Sequence, residues 1–279
     1  MNKRLKFALK AGLFLTVIFT QACANKYAIK RGDSLRVAYN KAMTIYKEHK
    51  YDDASQAFQT VLSLGRGTGY AKDAQYYLAQ SYFNDKQYLL AASEYKRYYT
   101  YYPKDKRREE VQFKQALCYY KLSPNYNLDQ SKTEKAIELY QLFISRYPNS
   151  KLSNRAGKYI DQMRDKLARK MLEAARLYQR LRDYKASALY FGLTIDNYPE
   201  TKWAQVALAE QVHAYVLLAQ NSISSKQEER FNKAVDTYQK YTQLFPKGNN
   251  RHEAEHYYKV AKEALNKISK QNQRTAANE

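Results

Sequence analysis

The sequence predicts an all-α fold built from repeated helical hairpins, and three observations carry that prediction. Only 8 Gly and 5 Pro occur in 279 residues, so few positions break a helix. Four of the prolines directly follow an aromatic residue, in Tyr102-Pro103, Tyr147-Pro148, Tyr198-Pro199 and Phe245-Pro246. Twelve and eight residues before each proline stand a small residue and a bulky ring, Ala91/Tyr95, Ala136/Tyr140, Ser187/Phe191 and Ala234/Tyr238. A small side chain lets two helices approach, a ring one turn later fills the gap to the next hairpin, and proline stops the helix. That is the second half of a tetratricopeptide repeat.

Taken from the amino terminus, residues 1–22 read as a removable signal peptide. Lys3, Arg4 and Lys6 precede an apolar stretch from Ala11 to Phe19, far short of the ~20 residues that a membrane span needs. Thr20-Gln21-Ala22-Cys23 resembles a bacterial lipobox, with Thr20 where Leu is usual. Cys23 is thus expected to carry lipid and to become the first residue, its acyl chains holding the protein on a membrane. Ordinary cleavage after Ala22 is the alternative. Ala24 in place of Asp fits sorting to the outer membrane, and residues 23–33 form the expected linker.

Five hairpins follow, over 34–67, 70–104, 107–150, 167–201 and 203–247. The first repeats the small/aromatic pair as Ala54/Phe58 but ends in Gly65, Gly67 and Gly69. First helices carry Ala42/Ile45, Ala79/Tyr82, Ala116/Tyr119, Ala175/Tyr178 and Ala214/Leu217. The two small residues of a hairpin lie 12 apart in the first, second and fourth, as an antiparallel pair requires, and 20 apart in the third and fifth. Those two therefore carry extensions between their helices, around Leu122–Lys132 and Asn221–Arg230. Residues 151–166 lengthen the first helix of the fourth hairpin, a helix near 250–269 caps the array, and 270–279 is expected to be a disordered tail. The expected domains are 34–150, with repeats one to three, and 151–269, with repeats four and five and the cap.

Formal charge is +21, and +17 once the four cations before Cys23 are removed. A secreted lipoprotein does not meet nucleic acid, which leaves acidic protein surfaces and anionic lipid headgroups as partners. Cys118, the only other cysteine, lies in an apolar run and reads as a buried structural thiol. His252-Glu253-Ala254-Glu255-His256 spells the zinc-protease motif H-E-x-x-H. It lacks a reachable third ligand, since Glu263 follows on the same helix, and too little chain remains for a supporting subdomain. His49 and His213 stand alone. No phosphate loop or nucleophile motif occurs, so the expectation is a binding protein, not an enzyme, with no cofactor and no metal.

Helical phase marks the wall such a stack leaves for binding: three residues before and four after the small residue of each first helix. These positions are Tyr39 and Tyr46, Tyr76 and Phe83, Phe113 and Tyr120, all aromatic, in a chain with 29 Tyr and 10 Phe. The fourth hairpin has Leu172 and Gln179 there, with Arg169, Arg176 and Arg180 beside them. Lys47, Lys121, Arg176 and Arg180 are the candidate carboxylate contacts. An extended peptide ending in an aromatic residue and a carboxylate fits such a trough. Rings at this spacing that simply thicken the core are the other reading.

Leu122-Ser123-Pro124-Asn125-Tyr126-Asn127-Leu128-Asp129-Gln130, with Lys135-Ala136-Ile137 and Arg146-Tyr147-Pro148-Asn149-Ser150, resembles the Bacteroidetes branch of the BamD family. Tyr215 to Arg230 is similar to that family's fifth repeat, and the likeness runs from Cys23 to about Leu265. It implies a non-enzymatic outer-membrane lipoprotein of the β-barrel assembly machinery, anchored through Cys23 and facing the periplasm. The carboxy-terminal repeats would dock the barrel protein BamA, and the amino-terminal ones would receive the C-terminal signal of unfolded outer-membrane proteins. A different repeat lipoprotein, a pilus-assembly or cell-wall scaffold, is the alternative. The nutrient-binding SusD lipoproteins are about twice this length.

Overall fold

The computed structural model describes residues 28–65 and 67–276, and their regular structure is entirely helical. The signal peptide, Cys23 and residues 277–279 lie outside the described residues. No described helix is long and apolar enough to cross a membrane. The chain divides into two compact units between Lys121 and Leu122.

The first unit contains α1 (Leu35–Lys47), α2 (Tyr51–Leu64), α3 (Gly69–Asn84), α4 (Tyr88–Tyr101) and α5 (Arg108–Leu122). Ser34 caps α1, its hydroxyl accepting the Val37 N–H at 3.4 Å. Three-residue turns join α1 to α2 and α3 to α4, and their middle residues, His49 and Lys86, take left-handed φ of 61° and 63°. The paired helices pack closely, and the small residues Ala42, Ala54, Ala79 and Ala91 have no exposed surface. Phe58 and Tyr95, one turn on, are equally buried. Gly65 ends α2, so the first hairpin closes on glycine instead of proline, and a Cβ there would stand 2.6 Å from the mobile end of the Leu35 side chain.

The second unit contains α6 (Ser131–Arg146), α7 (Lys151–Arg180), α8 (Tyr184–Asn197), α9 (Lys202–Gln220), α10 (Ser224–Leu244) and α11 (Arg251–Ala276). Residues 151–166 do lengthen α7, which runs 30 residues from a Ser150 cap. Its turn to α8 repeats the left-handed middle residue, here Arg182 at φ 62°. Tyr102, Tyr147, Tyr198 and Phe245 close their helices at φ between −122° and −136° and ψ between 51° and 63°. Each precedes a proline, whose ring excludes the helical conformation from the residue before it. Ala116, Ala136, Ala175, Ser187, Ala214 and Ala234 complete the set of small residues, all with no exposed surface.

Three expectations need correction. The extension of the fifth hairpin is not a loop. A three-residue turn at 221–223 remains, and the extra residues lengthen α9 and α10 to 19 and 21 residues. The expected tail from 270 is helical to Ala276, since Lys, Gln, Arg and Ala sustain a helix and no Gly or Pro ends it. The units divide at 121/122, not at 150/151, because α6 packs on α7 within the second unit.

The capping role of α11 is visible in the packing. Ala254 and Ala261, seven apart on one face, are fully buried in the second unit's core. Tyr257 stacks flat on His213 of α9, centroids 3.8 Å apart, and Tyr258 stacks on Tyr238 of α10 at 4.4 Å.

Candidate functional site

The wall built by the first helices of the first unit holds the aromatic residues marked by helical phase. Tyr39, Tyr46, Tyr76, Phe83 and Tyr120 are each partly exposed. Phe113 is not. At 4% exposure it is a core side chain, and the expectation that it lines an open trough is corrected. Position along α5 selects its face and does not set its exposure.

Each of the first four rings leans on the core with one side. Tyr39 lies 5.2 Å from Tyr70 and 6.3 Å from Phe58. Tyr46 lies 5.2 Å from Tyr77 and accepts a hydrogen bond from Asn84 Nδ2 at 3.1 Å. Phe83 packs on Tyr88 at 5.5 Å and on Tyr95 at 6.4 Å. Tyr76 touches Tyr77 and Tyr98, and its hydroxyl donates to Glu110 Oε1 at 2.9 Å. Burial pushes the Tyr39 phenol up to about 12, with Asp73 adding to the effect. Burial and the Glu110 carboxylate raise Tyr76 as well. Both hydroxyls are therefore neutral at physiological pH.

A polar lattice crosses the same wall, and it pairs residues 34 apart. Arg107 Nη2 donates to Asp73 at 2.6 Å, Tyr76 to Glu110, and Lys114 Nζ to Gln80 Oε1 at 3.0 Å. The Arg107 guanidinium lies over the Tyr76 ring at 4.7 Å and the Tyr98 ring at 5.3 Å. Burial alone would raise the Asp105 carboxyl. Hydrogen bonds from Lys72, from the Arg107 backbone, from Tyr98 and from the Arg107 side chain outweigh it and hold the group well below the usual carboxylate range. Sequence reasoning missed Arg107, Asp73, Glu110 and Tyr77. A comparison of residues one repeat length apart for complementary polarity would have found the first three.

Of the candidate cations, Lys47 and Lys121 are exposed and carry no ion pair among the described residues. In the second unit Arg180 is likewise exposed. Arg176 is not available: its Nε meets both Glu210 oxygens, at 2.9 and 3.1 Å, and its Nη1 meets Glu173 at 2.8 Å. Arg169 is held over the Tyr126 ring at 4.1 Å and the Trp203 ring at 5.6 Å. Leu172 is fully buried, and Gln179 Nε2 lies 3.2 Å from His213 Nδ1.

A recess of about 710 Å³ opens elsewhere in the first unit, between α2, α3 and α4. Gln59, Gln75, Glu94, Arg97 and Tyr101 line it, and none of the six aromatics does. Cys118 is a free, buried thiol whose burial pushes it up to about 12, so it is unreactive in the folded protein. His252, Glu253 and His256 are exposed on α11, and among the described residues no group of three His, Cys, Asp or Glu side chains could hold a metal ion.

The family profile described as YfiO, outer membrane lipoprotein, matches residues 32–231. The outer membrane protein assembly factor BamD of Rickettsia prowazekii (strain Madrid E) is 27% identical over 188 residues, 67% of this chain and 75% of that protein. The BamD of Caulobacter vibrioides is 26% identical over 187 residues, 66% of this chain and 56% of that protein. Among solved structures, a tetratricopeptide repeat protein from Parabacteroides merdae aligns at a TM-score of 0.36 and 15% identity, over 82% of this chain and 99% of its own. The profile spans well over half of the sequence, and on that ground this protein belongs to the YfiO outer membrane lipoprotein family, with the BamD assembly factors among its relatives.

Proposed function

We propose that this protein is a non-enzymatic subunit of the outer-membrane β-barrel assembly machinery, held on the periplasmic face of the outer membrane through lipid on Cys23. The family match over residues 32–231 is the observation that carries the assembly role. In this reading the second unit docks a BamA-like barrel protein. The first unit receives the C-terminal segment of unfolded outer-membrane proteins on the wall formed by α1, α3 and α5. Five partly exposed rings, Tyr39, Tyr46, Tyr76, Phe83 and Tyr120, support that placement, with Lys47 and Lys121 free beside them to meet a terminal carboxylate. Phe113 and Arg176 are left out, one sealed in the core and the other already paired.

Two measurements test the proposal. A tagged protein taken from membranes in mild detergent should bring down a BamA-like barrel as its main partner. Recovery of a pilus or cell-wall assembly protein instead would replace the reading. Peptides from barrel C-termini should bind the wild type and lose about tenfold in affinity with Phe83→Ala or with Lys47→Glu plus Lys121→Glu, roughly one hot-spot contact each. Unchanged binding would remove the peptide site and leave the assembly role standing.

A further inference from the structure

Residues 28–33, which lead into α1, are fastened to the first hairpin. Lys41 Nζ donates to the Ala28 carbonyl at 3.1 Å and to Asp33 Oδ2 at 2.7 Å. Asp33 Oδ2 also accepts the Lys30 N–H at 2.8 Å, and the Asp33 N–H returns to the Lys30 carbonyl at 3.1 Å. That closes a turn in which Gly32 takes φ 97°. Ile29 packs against the first unit's core, and with Ala28 it borders a recess lined by Ile45, Asp53 and Ala57. The entry to the fold is therefore part of the folded surface.

Covalent length then sets a limit. Five residue steps separate Cys23 from Ala28, and at ~3.5 Å per step they reach at most roughly 17 Å in any conformation. With lipid on Cys23, the surface around Ala28 stays within about two Debye lengths of the headgroups at physiological ionic strength (~8 Å each). Lys30 and Arg31, two and three residues beyond Ala28, are exposed, and so is Arg36 in the first turn of α1. Arg31 and Arg36 have no ion-pair partner among the described residues, and the one acid of the segment, Asp33, is neutralised by Lys41 at 2.7 Å. Asp53, at the start of α2, is an opposing charge on the recess that Ala28 and Ile29 border.

From this we infer that the entry segment and first turn of α1, with Lys30, Arg31 and Arg36, form a contact surface for anionic phospholipid headgroups, which turns the first unit's amino-terminal end toward the membrane. The inference rests on Cys23 as the lipid-bearing residue. Acyl chains suffice for anchoring, so the cations act on orientation: lipid supplies proximity and charge selects the side that faces the bilayer. Each cation near an anionic surface raises partitioning about fivefold, so three give roughly a hundredfold at low salt.

The test uses the full mature chain with Cys23→Ser, which carries no lipid. It is floated with vesicles of phosphatidylethanolamine and phosphatidylglycerol, and with phosphatidylcholine alone. Binding should require phosphatidylglycerol, weaken with salt, and fall at least about tenfold in a Lys30→Glu, Arg31→Glu, Arg36→Glu variant. The Gln variants at the same three positions should lose less, and helical circular dichroism should be unchanged in all. Reversal of Lys262, Lys267 and Lys270 on α11 is the control for net charge. Equal losses in control and test variants would overturn the inference, as would no loss or binding without phosphatidylglycerol. A protein isolated from membranes without lipid on Cys23 would overturn it too. Failure to recover a barrel partner, with vesicle binding intact, would instead count against the proposed function.

Discussion

Lys86 shows how much of this fold is settled by single backbone positions. It holds φ 63° in the turn between α3 and α4, as His49 and Arg182 do in theirs, and all three carry a Cβ where glycine would be cheaper. Lys86→Gly should raise stability by about 0.5–1 kcal/mol in urea unfolding, and a β-branched residue there should lower it. Asp105 sets an acid limit. Its carboxyl titrates below the ordinary 3.8 when folded, so its stabilising effect is complete above that value and is lost as pH falls below it. Asp105→Asn should flatten the acid limb of a stability–pH profile between about pH 4 and 2 and lower stability at neutral pH; an unchanged limb would contradict the assignment. The buried aromatics show what the residue level leaves open. Phe113 and Tyr76 occupy equivalent positions on α5 and α3, yet one is sealed and the other is partly exposed with its hydroxyl on Glu110. Helical phase places both on the same face and has no information on what lies opposite.

At the level of elements, the long loop of residues 123–130 is held from α7. Lys166 Nζ donates to Ser123 Oγ at 2.6 Å and to the Pro124 carbonyl at 2.8 Å, and Lys170 Nζ donates to the Leu128 carbonyl. Arg169, between them, covers Tyr126. Burial lowers the Lys166 ammonium, yet two oxygens satisfy it. Lys166→Ala with Lys170→Ala should leave the helices intact and make this loop the first site of limited proteolysis; protection equal to wild type would show that the loop holds itself. The sequence announces this insertion, since the small residues of the third hairpin lie 20 apart. The same spacing in the fifth hairpin is met by longer helices, because Ser224 to Arg230 contains no residue that stops one. Spacing counts residues between two contacts and is indifferent to whether they coil or loop. Pairing 34 apart also recurs in the second unit, Arg176 with Glu210 and Gln179 with His213. It is a property of the repeat, not of one wall.

At the scale of the whole molecule, the described residues include a cluster of buried apolar side chains in the first unit, from Ala38 to Cys118, and another in the second, from Leu172 to Ala261. Repeat arrays are stabilised by nearest neighbours, so damage should stay local. Phe191→Ala, at a side chain with no exposed surface, should cost about 3–5 kcal/mol and speed amide exchange throughout α8 to α11 while leaving α1 to α4 unchanged. A uniform rise in exchange would mean that the chain unfolds as one. The sequence by itself determined that the chain is helical, where the proline-stopped helices end, and which small residues each hairpin brings together, but not where α9, α10 and α11 end. Those depend on contacts along one helix and across one short turn, which an alanine and a proline at set spacing already record. Only the tertiary structure decided which rings remain partly open and which cations remain free. Phe113 is closed, and Arg176 is claimed by Glu210 on α9, because exposure and pairing depend on residues distant along the chain, whose approach no local pattern records.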